Sequence, residues 1–473
     1  MLDRIGRIRG TTLLTGLVLA TMALSPAFAH HKKPHTKKQI KQIASQIADR
    51  YTKGEADALF LNEGEGDARY YPRTAADALF LTEGLGDARY YTQAQVDALS
   101  LGPYARTEVV TVGGTPTQNG NALRSALAGI TDASAANRYL VKLEPGTFDI
   151  GTQELVMKEF ADIEGSGRMG TIITCACGSP SNTTTGVAAT IHGAVNTGLR
   201  SLSVVNTGGN AHAHGVDYLG IAGEPVRITD VAVEVSGATS GAAGIEVRDA
   251  QPVMTRVDVE VTGNGIDLDL YGIRIANAGS ASLLHVNASA EGDVNDTWGL
   301  YADDSRVTIE GGEMSASDAS QNFAVQGVAT SDLMLVGVSA LAVGGGDRYF
   351  GLDLQDSVAL VTGSFIVADG EEADGIRVDS GGPPSLAQVT GSTIAAQASF
   401  CCGSAVEVNS GGPITVDGSR IVTDEPIASA GSGEEVRFGG SFLDGDAPSG
   451  SGTVTCAGVW DENYTFFATT CPS

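Results

Sequence analysis

The sequence predicts an all-β fold in which successive turns of the chain form a solenoid. A unit of Gly or Ala, an apolar residue, a variable residue and a second apolar residue recurs about every 24 to 30 residues, a period typical of solenoids. A second run of alternating apolar residues follows, as at 226–235, 252–261 and 331–341, so each period should contain at least two short strands. The units begin at Gly186, Gly215, Gly244, Gly272, Gly299, Ala324, Gly351, Gly375 and Ala405.

The segment before the first unit has the features of a capped β-helix. A short amphipathic helix is expected over Asn121–Ile130, followed by Tyr139–Phe148 and Ile163–Gly167. These segments resemble the entrance of the pectate-lyase-like right-handed parallel β-helices, in which a helix covers the strand edges of the first coil. The resemblance implies a right-handed parallel β-helix with its cap and first coils at 107–185, further coils at 186–445 and a C-terminal cap at 446–473.

The N-terminal part differs in character from the solenoid. Residues 1–29 have a basic start, an apolar stretch and small residues before the end, which predicts a cleaved signal peptide. Residues 30–50 form a basic neck, and residues 51–106 contain a tandem repeat, Thr52–Tyr71 and Pro72–Tyr91. The repeat resembles the stalk repeats of trimeric phage tail fibres and bacterial surface fibres, which implies a short helical stalk and a homotrimer. A flexible spacer is the alternative.

Charge and hydropathy narrow the partners and the location. The chain has 29 Lys plus Arg against 56 Asp plus Glu, a formal net charge of −27. This acidity disfavours nucleic acid and anionic lipid surfaces, because both carry phosphate. No stretch after the signal peptide is apolar for long enough to span a bilayer. We expect a bacterial protein that is secreted, extracellular or at the cell surface, with the periplasm as an alternative, and a polysaccharide or cell-surface glycan as partner.

Six cysteines in an exported chain indicate an oxidising compartment. Cys456 and Cys471 are expected to close a terminal loop. Cys401 and Cys402 are neighbours, and a bridge between them would be strained, so partners elsewhere or free thiols are favoured. The pairing of Cys175 and Cys177 stays open, and the spacing does not supply a zinc site.

The variable position of each unit faces outward, because the apolar residues on either side face the core. In this column opposite charges adjoin at Glu246 and Arg274 and along Asp353, Arg377 and Glu407, which predicts a surface ion-pair ladder with Arg437 as a candidate continuation. The column is Asp217, Glu246, Arg274, Tyr301, Gln326, Asp353, Arg377 and Glu407.

Catalytic residues are hard to find in these columns, and none is assigned. The pectin-depolymerising relatives suggest a search for paired Asp residues or an Arg-x-Lys motif. Asp303 and Asp304 are the one candidate pair within a unit, but Asp304 falls in a column of Asp and Asn residues that favours a turn. Arg274 matches the arginine motif only in part, since the lysine is missing. The histidines His192, His212, His214 and His285 are interpreted as ordinary surface residues.

A column of aromatic residues precedes the Gly or Ala of four consecutive units, at Tyr271, Trp298, Phe323 and Phe350. Strand alternation predicts that these rings stack inside the solenoid. The alternative is an external platform for sugar rings, formed by Tyr271, Trp298, Tyr349 and Phe350.

Variation in period length falls in the segments just before this column, so these loops mark a candidate binding side. They are rich in carboxylates, which could hold calcium or act as acid and base, or could form a solvated rim. The candidates for acid and base are Asp267 and Asp269, and those for calcium are Asp369, Glu371, Glu372 and Asp374.

The sequence as a whole favours an exported, non-catalytic fibre, adhesin-like or structural, whose β-helix contacts polysaccharide. The alternative is a polysaccharide lyase or glycoside hydrolase. No cofactor is expected, with calcium as the one ion that the acidic loops could bind.

Overall fold

The computed structural model describes residues 104–180, 189–221, 225–382, 385–399 and 403–472, with the side chains of 265–267 left aside. The predicted signal peptide, basic neck and nearly all of the stalk, as well as Cys401 and Cys402, lie outside these residues, and so does the side chain of Asp267.

The described chain consists of one helix, α1 (Pro116–Gly129), and 35 strands. The first strands are β1 (Arg106–Val110), β2 (Tyr139–Leu143), β3 (Gly146–Asp149), β4 (Leu155–Val156), β5 (Ala161–Glu164), β6 (Thr171–Cys175), β7 (Ala189–His192), β8 (Gly198–Asn206), β9 (His212–Tyr218), β10 (Pro225–Val235), β11 (Gly241–Arg248) and β12 (Gln251–Thr262). They are followed by β13 (Gly265–Ala276), β14 (Ala281–Glu291), β15 (Val294–Asp303), β16 (Arg306–Ser317), β17 (Gln321–Val328), β18 (Asp332–Val336), β19 (Ser339–Val343), β20 (Arg348–Gln355), β21 (Val358–Thr362), β22 (Phe365–Gly370), β23 (Glu372–Asp379) and β24 (Leu386–Thr390). The last are β25 (Thr393–Ala398), β26 (Ser404–Val408), β27 (Ile414–Asp417), β28 (Arg420–Pro426), β29 (Ser429–Ala430), β30 (Glu435–Gly439), β31 (Phe442–Asp446), β32 (Ser449–Gly450), β33 (Thr453–Ala457), β34 (Val459–Asp461) and β35 (Phe466–Phe467).

These strands form a parallel β-helix of about eleven turns, which confirms the predicted all-β solenoid. One sheet has twelve strands, β4, β7, β9, β11, β13, β15, β17, β20, β23, β26, β29 and β32, and pairs each coil with the next in parallel. The second apolar runs belong to the other, 23-stranded sheet. Both apolar positions of a unit face the core as predicted; Ile245 and Val247, for example, are completely buried.

The start of the repeat was misplaced by the sequence. Register pairs Ile191 with Val216 and His192 with Asp217, so the unit before Gly215 begins at Thr190 rather than at Gly186, and β4 lies one coil earlier with Leu155 opposite Ile191. Thr190 occupies the position that Gly holds in later coils, and this substitution hid the true repeat.

Helix α1 caps the N-terminal end and is longer than expected. Thr115 and Gln118 form a capping box, with Pro116 at the first position, and these residues fix the helix start before Asn121. The helix buries Leu123 and Leu127 against the first coil. Coil pairing already begins at Arg106, one residue before the predicted boundary.

The turns between coils contain a column of residues with left-handed backbone. Asp304 lies in the left-handed region (φ 43°), as do Asp249, Asn277 and Asp356 of the same column, which confirms the turn interpretation.

Two disulfide bonds are present among the described residues. Cys456 is bonded to Cys471, as predicted, with Cα atoms 5.0 Å apart. Cys175 is bonded to Cys177, the pairing that the sequence left open. Among the described residues, no helix is long and apolar enough to cross a membrane.

Candidate functional site

A row of polar side chains runs along the outer face of the twelve-stranded sheet. The predicted column is confirmed from Asp217 to Glu407, because each member pairs in register with the next. The polar side chains begin one coil earlier, at His192, which follows Val156, and the register continues through Ser429 to Ser449. Arg437 lies in β30 of the other sheet and pairs with Glu435, so its proposed place in the row was wrong. We call His192, Asp217, Glu246, Arg274, Tyr301, Gln326, Asp353, Arg377 and Glu407 the outer row.

The predicted aromatic ladder exists, but it lies outside the core. Tyr349 belongs to the main core, whereas Phe350 belongs to a separate cluster with Trp298 and Phe323. In β13, Leu270 and Ile273 both belong to the core, so strict alternation is broken at the Gly between them. The residue before the Gly therefore lies on the outer face beside the outer row, and the inward prediction was wrong.

The rings form a continuous stack. Tyr271 and Trp298 are parallel with centroids 4.5 Å apart, Trp298 and Phe323 are 5.4 Å apart, and Phe323 and Phe350 are 4.9 Å apart. Outer-row side chains cover the stack: the Nε1–H of Trp298 donates to Gln326 at 2.7 Å, and the Arg377 guanidinium lies 3.7 Å from the centroid of Phe350.

This packing shows that Trp298, Tyr349 and Phe350, three of the four residues of the predicted sugar platform, are not available to stack on a sugar ring. Trp298 and Phe350 are only 6% and 2% exposed, because neighbouring rings and outer-row side chains occupy their faces. Tyr349 is buried in the core, and its hydroxyl accepts a hydrogen bond from the backbone N–H of Gly346. Tyr271, at the end of the stack, is the one member left partly exposed.

The N-terminal end of the outer row contains an imidazole held by a buried carboxylate. His192 Nδ1 lies 2.6 Å from Asp217 Oδ1, and this hydrogen bond raises the pKa of His192. Asp217 is completely buried, and burial raises its pKa to about 6. The surface interpretation of His192 was therefore incomplete, since its ring is fixed by Asp217 on one side and partly exposed on the other.

The next coils contain a buried charge network centred on Glu246. His214 Nδ1 lies 3.1 Å from Glu246 Oε2, while Arg248 Nη2 and Arg274 Nη1 lie 2.7 Å and 3.4 Å from Oε1. Burial lowers the pKa of His214 to about 4, so its ring is neutral at pH 7. Two arginines thus face one carboxylate.

Arg274 also contacts the partly exposed end of the ring stack. Its guanidinium lies 5.2 Å from the centroid of Tyr271 and 5.7 Å from that of Tyr301. The two tyrosine rings meet edge to face at 5.6 Å. Arg274, a catalytic candidate from sequence, therefore lies between the charge network and the aromatic residues.

Two carboxyl groups adjoin this position on the same face. Asp269 and Asp296 are paired in register on adjacent coils, and the Nδ2 of Asn295 donates to both, at 3.4 Å and 3.0 Å. Burial raises the pKa of Asp269, and burial together with the Asp269 charge raises the pKa of Asp296 to about 6. His212 lies nearby, and desolvation lowers its pKa.

We call the six partly exposed residues around this point the Arg274 patch. They lie on β9, β13 and β15, and Gly241 of β11 separates His212 from the others, so inter-coil steps of about 4.8 Å give the patch a length of roughly 14 Å along the solenoid axis. Its members are His212, Asp269, Tyr271, Arg274, Asp296 and Tyr301.

Orphaned polar atoms concentrate at the same place. Among the described residues, Asp217 Oδ2, Arg248 Nε, Arg274 Nε and Asp296 Oδ1 are buried atoms without a hydrogen-bond partner. Such atoms are rare in folded proteins and often mark functional sites. The strongest candidate site is therefore the Arg274 patch with the network beneath it.

The other predicted site residues do not join this patch. Asp303 ends β15 further along the same strand. The calcium candidates are separated: Glu372 pairs with Arg348 at 3.0 Å, and Asp374 is buried against Ser404. Burial and the neighbouring Glu407 carboxyl keep the pKa of Asp374 well above its usual range. Within the described ranges, no group of three or more His, Cys, Asp or Glu residues could hold a metal ion.

Sequence reasoning missed His192, His214 and Arg248, which are important parts of the site. The predicted column placed Glu246 next to Arg274, but it began at Asp217 and left His192 out, because the preceding unit was placed at Gly186. A buried neutral histidine such as His214 leaves no pattern of its own. The signal that could have revealed His214 is His212-x-His214 followed by Asp217, which puts three polar groups on one strand.

Comparisons with known proteins return no family. No family model and no curated protein matches the chain. Solved structures that resemble it include the A-module of mannuronan C-5 epimerase AlgE4 from Azotobacter vinelandii, with 14% identity over 71% of this chain and 93% of that chain and a TM-score of 0.40. The catalytic unit of a GH87 α-1,3-glucanase from Streptomyces thermodiastaticus has 16% identity over 77% and 70%, with a TM-score of 0.35.

A third resemblance is to the gp42 tailspike of Acinetobacter phage vb_AbaP_AS12, with 9% identity over 76% of this chain and 64% of that chain and a TM-score of 0.29. With such identities and TM-scores, these resemblances assign no function to the chain.

Proposed function

We propose that this protein is an exported fibre that binds polysaccharide along the Arg274 patch. The observation that carries the proposal is the alignment of Arg274, Tyr271 and Tyr301 with two carboxyl groups on the adjacent strands β13 and β15, with His212 in line with the carboxyl groups two coils earlier. A linear polymer needs a linear site, and sugar rings are bound by aromatic faces and hydrogen-bonding side chains. Export and trimerisation rest on the N-terminal sequence alone and belong to the same proposal.

Electrostatics support this position for the site. The chain has a net charge of −27, which repels anions in general. Beneath the patch, however, Glu246 faces two arginines and His214 is neutral, so these four side chains have one positive charge in excess, with the carboxyl group of Asp269 as the nearby counter-charge. Arg274 can therefore donate hydrogen bonds to a glycan oxygen without being neutralised by Glu246.

The binding test is affinity electrophoresis in native gels that contain one soluble polysaccharide each. Wild-type protein should be retarded by at least one polysaccharide, and Arg274→Ala should lose most of that retardation. Arg306→Ala is the matched control, because Arg306 is an exposed arginine on the other sheet that pairs with Asp332. Equal retardation of both variants would refute the patch as the binding surface.

Asp269 and Asp296 favour cleavage of the glycan as a second candidate function. While Asp296 is protonated, it could give a proton to the leaving oxygen, and a carboxylate form of Asp269 could take a proton from water or from a sugar carbon. Hydrolysis would produce new reducing ends; β-elimination would consume no water and leave an unsaturated sugar.

The cleavage test compares Asp296→Asn with Asp332→Asn on the other sheet. Product formation by the wild-type protein should fall as pH rises through about 6, because Asp296 loses its proton there. Asp296→Asn should abolish the product, and Asp332→Asn should not. If no polysaccharide yields new ends or unsaturated sugars, the protein is a binder only.

A further inference from the structure

The C-terminal hairpin presents three aromatic side chains to solvent. Trp460, Tyr464 and Phe466 are 39%, 79% and 56% exposed. Trp460 and Phe466 face each other across the hairpin with centroids 5.3 Å apart, and Tyr464 lies 5.6 Å from the ring of Phe442. We call Trp460, Tyr464 and Phe466 the terminal platform.

The backbone that carries these rings is held rigidly. Strand β34 pairs with the coil below through β31 and in antiparallel fashion with β35. The Asp461 carboxylate accepts backbone hydrogen bonds from Asn463 at 3.0 Å and from Thr465 at 2.7 Å, which fixes the turn. The bond between Cys456 and Cys471 ties the following chain back to β33. The rings are therefore pre-organised.

The exposed area limits what can bind there. With about 150–250 Å² per aromatic side chain, the exposed parts of the three rings present on the order of 300–400 Å². A stable protein partner needs about 800 Å² from each side. The platform is thus too small for a lasting protein interface and matches a ligand that offers single rings.

Charge and polarity favour a sugar among such ligands. The carboxylates of the hairpin that carries the platform are bound within it: Asp461 accepts from backbone N–H groups and Glu462 accepts from the Asn463 side chain at 2.7 Å. The guanidinium of Arg420 lies over Phe442 behind Tyr464, 5.6 Å from the Phe442 centroid, so an anionic polymer or membrane surface would meet two carboxylates for this one cation. Amide and hydroxyl groups at Asn463 and Thr465 flank the rings, and sugar rings need apolar faces together with such hydrogen-bonding edges.

We propose that the terminal platform is a second, non-catalytic site that stacks uncharged sugar rings of a polysaccharide. This proposal rests on the proposed function, which supplies the choice of a glycan as ligand. It adds a second contact site and the class of sugar that binds there. The platform keeps a long glycan attached while the Arg274 patch contacts another segment of the same polymer.

Tryptophan fluorescence tests this directly, because the chain has two tryptophans and only Trp460 is exposed. Acrylamide should quench mainly Trp460, and adding a neutral β-glucan or galactomannan to the full-length mature protein should protect it. Trp460→Phe should remove the protected signal while leaving that of Trp298. Unchanged quenching at saturating concentrations of both polysaccharides would overturn the proposal, as would protection by lipid vesicles alone.

Affinity electrophoresis with the same polysaccharides gives the second readout. Tyr464→Ala or Phe466→Ala should weaken binding roughly two- to tenfold per ring, whereas Phe365→Ala, an exposed phenylalanine on another coil, should not. Retention of full affinity by both platform variants would contradict the proposal. Arg274→Ala leaves the platform intact. If only Arg274→Ala loses binding, the platform is refuted and the patch is kept. If only Tyr464→Ala and Phe466→Ala lose binding, the patch is refuted and the platform is kept.

Discussion

Replacing Phe323 with alanine tests whether the external ring stack is a structural element rather than a binding surface. Phe323 is 4% exposed and lies between Trp298 at 5.4 Å and Phe350 at 4.9 Å. Deleting a buried phenyl ring costs about 3–5 kcal/mol, of which each stacked contact contributes about 0.5–1.5 kcal/mol. Phe323→Ala should therefore lower the free energy of unfolding by about 3–5 kcal/mol.

The matched control is Phe365→Ala, because Phe365 is 45% exposed and lies outside the stack. Its loss should change the free energy of unfolding by less than about 1 kcal/mol. Equilibrium urea unfolding followed by the fluorescence of Trp298 is a suitable assay, since Trp298 contacts the mutated ring. Equal stabilities of the two variants would show that the stack contributes no more than a surface residue and would refute this part of the account.

Four further predictions follow from the site and the cap. Glu246→Ala should lower the free energy of unfolding by about 1–3 kcal/mol, because it removes the buried carboxylate that two partly buried arginines share. Asp217→Asn should remove the loss of stability that the wild type shows as pH rises from about 4 through 6, since the raised pKa of Asp217 favours the folded state only while the group is protonated. Gly241→Ala should displace the His212 ring, 2.7 Å from the added methyl group, and so change glycan binding at little cost in stability. Cys456→Ser should destabilise the C-terminal hairpin by about 3 kcal/mol, as expected for opening a loop of 15 residues.

For each of these four predictions, one experimental result would contradict it. Unfolding titrations that leave Glu246→Ala as stable as the wild type would show that the network is not buried. A pH profile that Asp217→Asn does not alter would assign the slope to other groups. Unchanged affinity in Gly241→Ala would exclude the His212 ring from the binding surface, and wild-type resistance of the hairpin to limited proteolysis in Cys456→Ser would show that β34 pairing alone suffices.

The sequence was sufficient for the architecture because the repeat is regular. A Gly or Ala followed by alternating apolar residues fixes which side chains enter the core, and the outer row from Asp217 to Glu407 followed directly. The helix start was also encoded, in the capping box of Thr115 and Gln118, although the amphipathic pattern alone led to a later start.

The site itself could not be predicted from the same pattern. The chain bends at each Gly, so that Tyr271 and Arg274 lie on one face although alternation places them on opposite faces. This arrangement brings the ring stack against the outer row. Asp217 and Glu246, which a sequence pattern describes as members of a surface ladder, are buried among their ion-pair partners. Burial then sets the pKa shifts, so the chemistry depends on packing that no local pattern encodes.

Hydrogen exchange in the presence of a polysaccharide that retards the protein is the most direct test of the central proposal. Peptides covering Gly265–Ala276 and Val294–Asp303 should exchange more slowly with the polysaccharide bound, and Arg274→Ala should lose this protection. Protection confined to the 23-stranded sheet or to the terminal hairpin, with both of these segments unchanged, would contradict the assignment of the Arg274 patch as the glycan site.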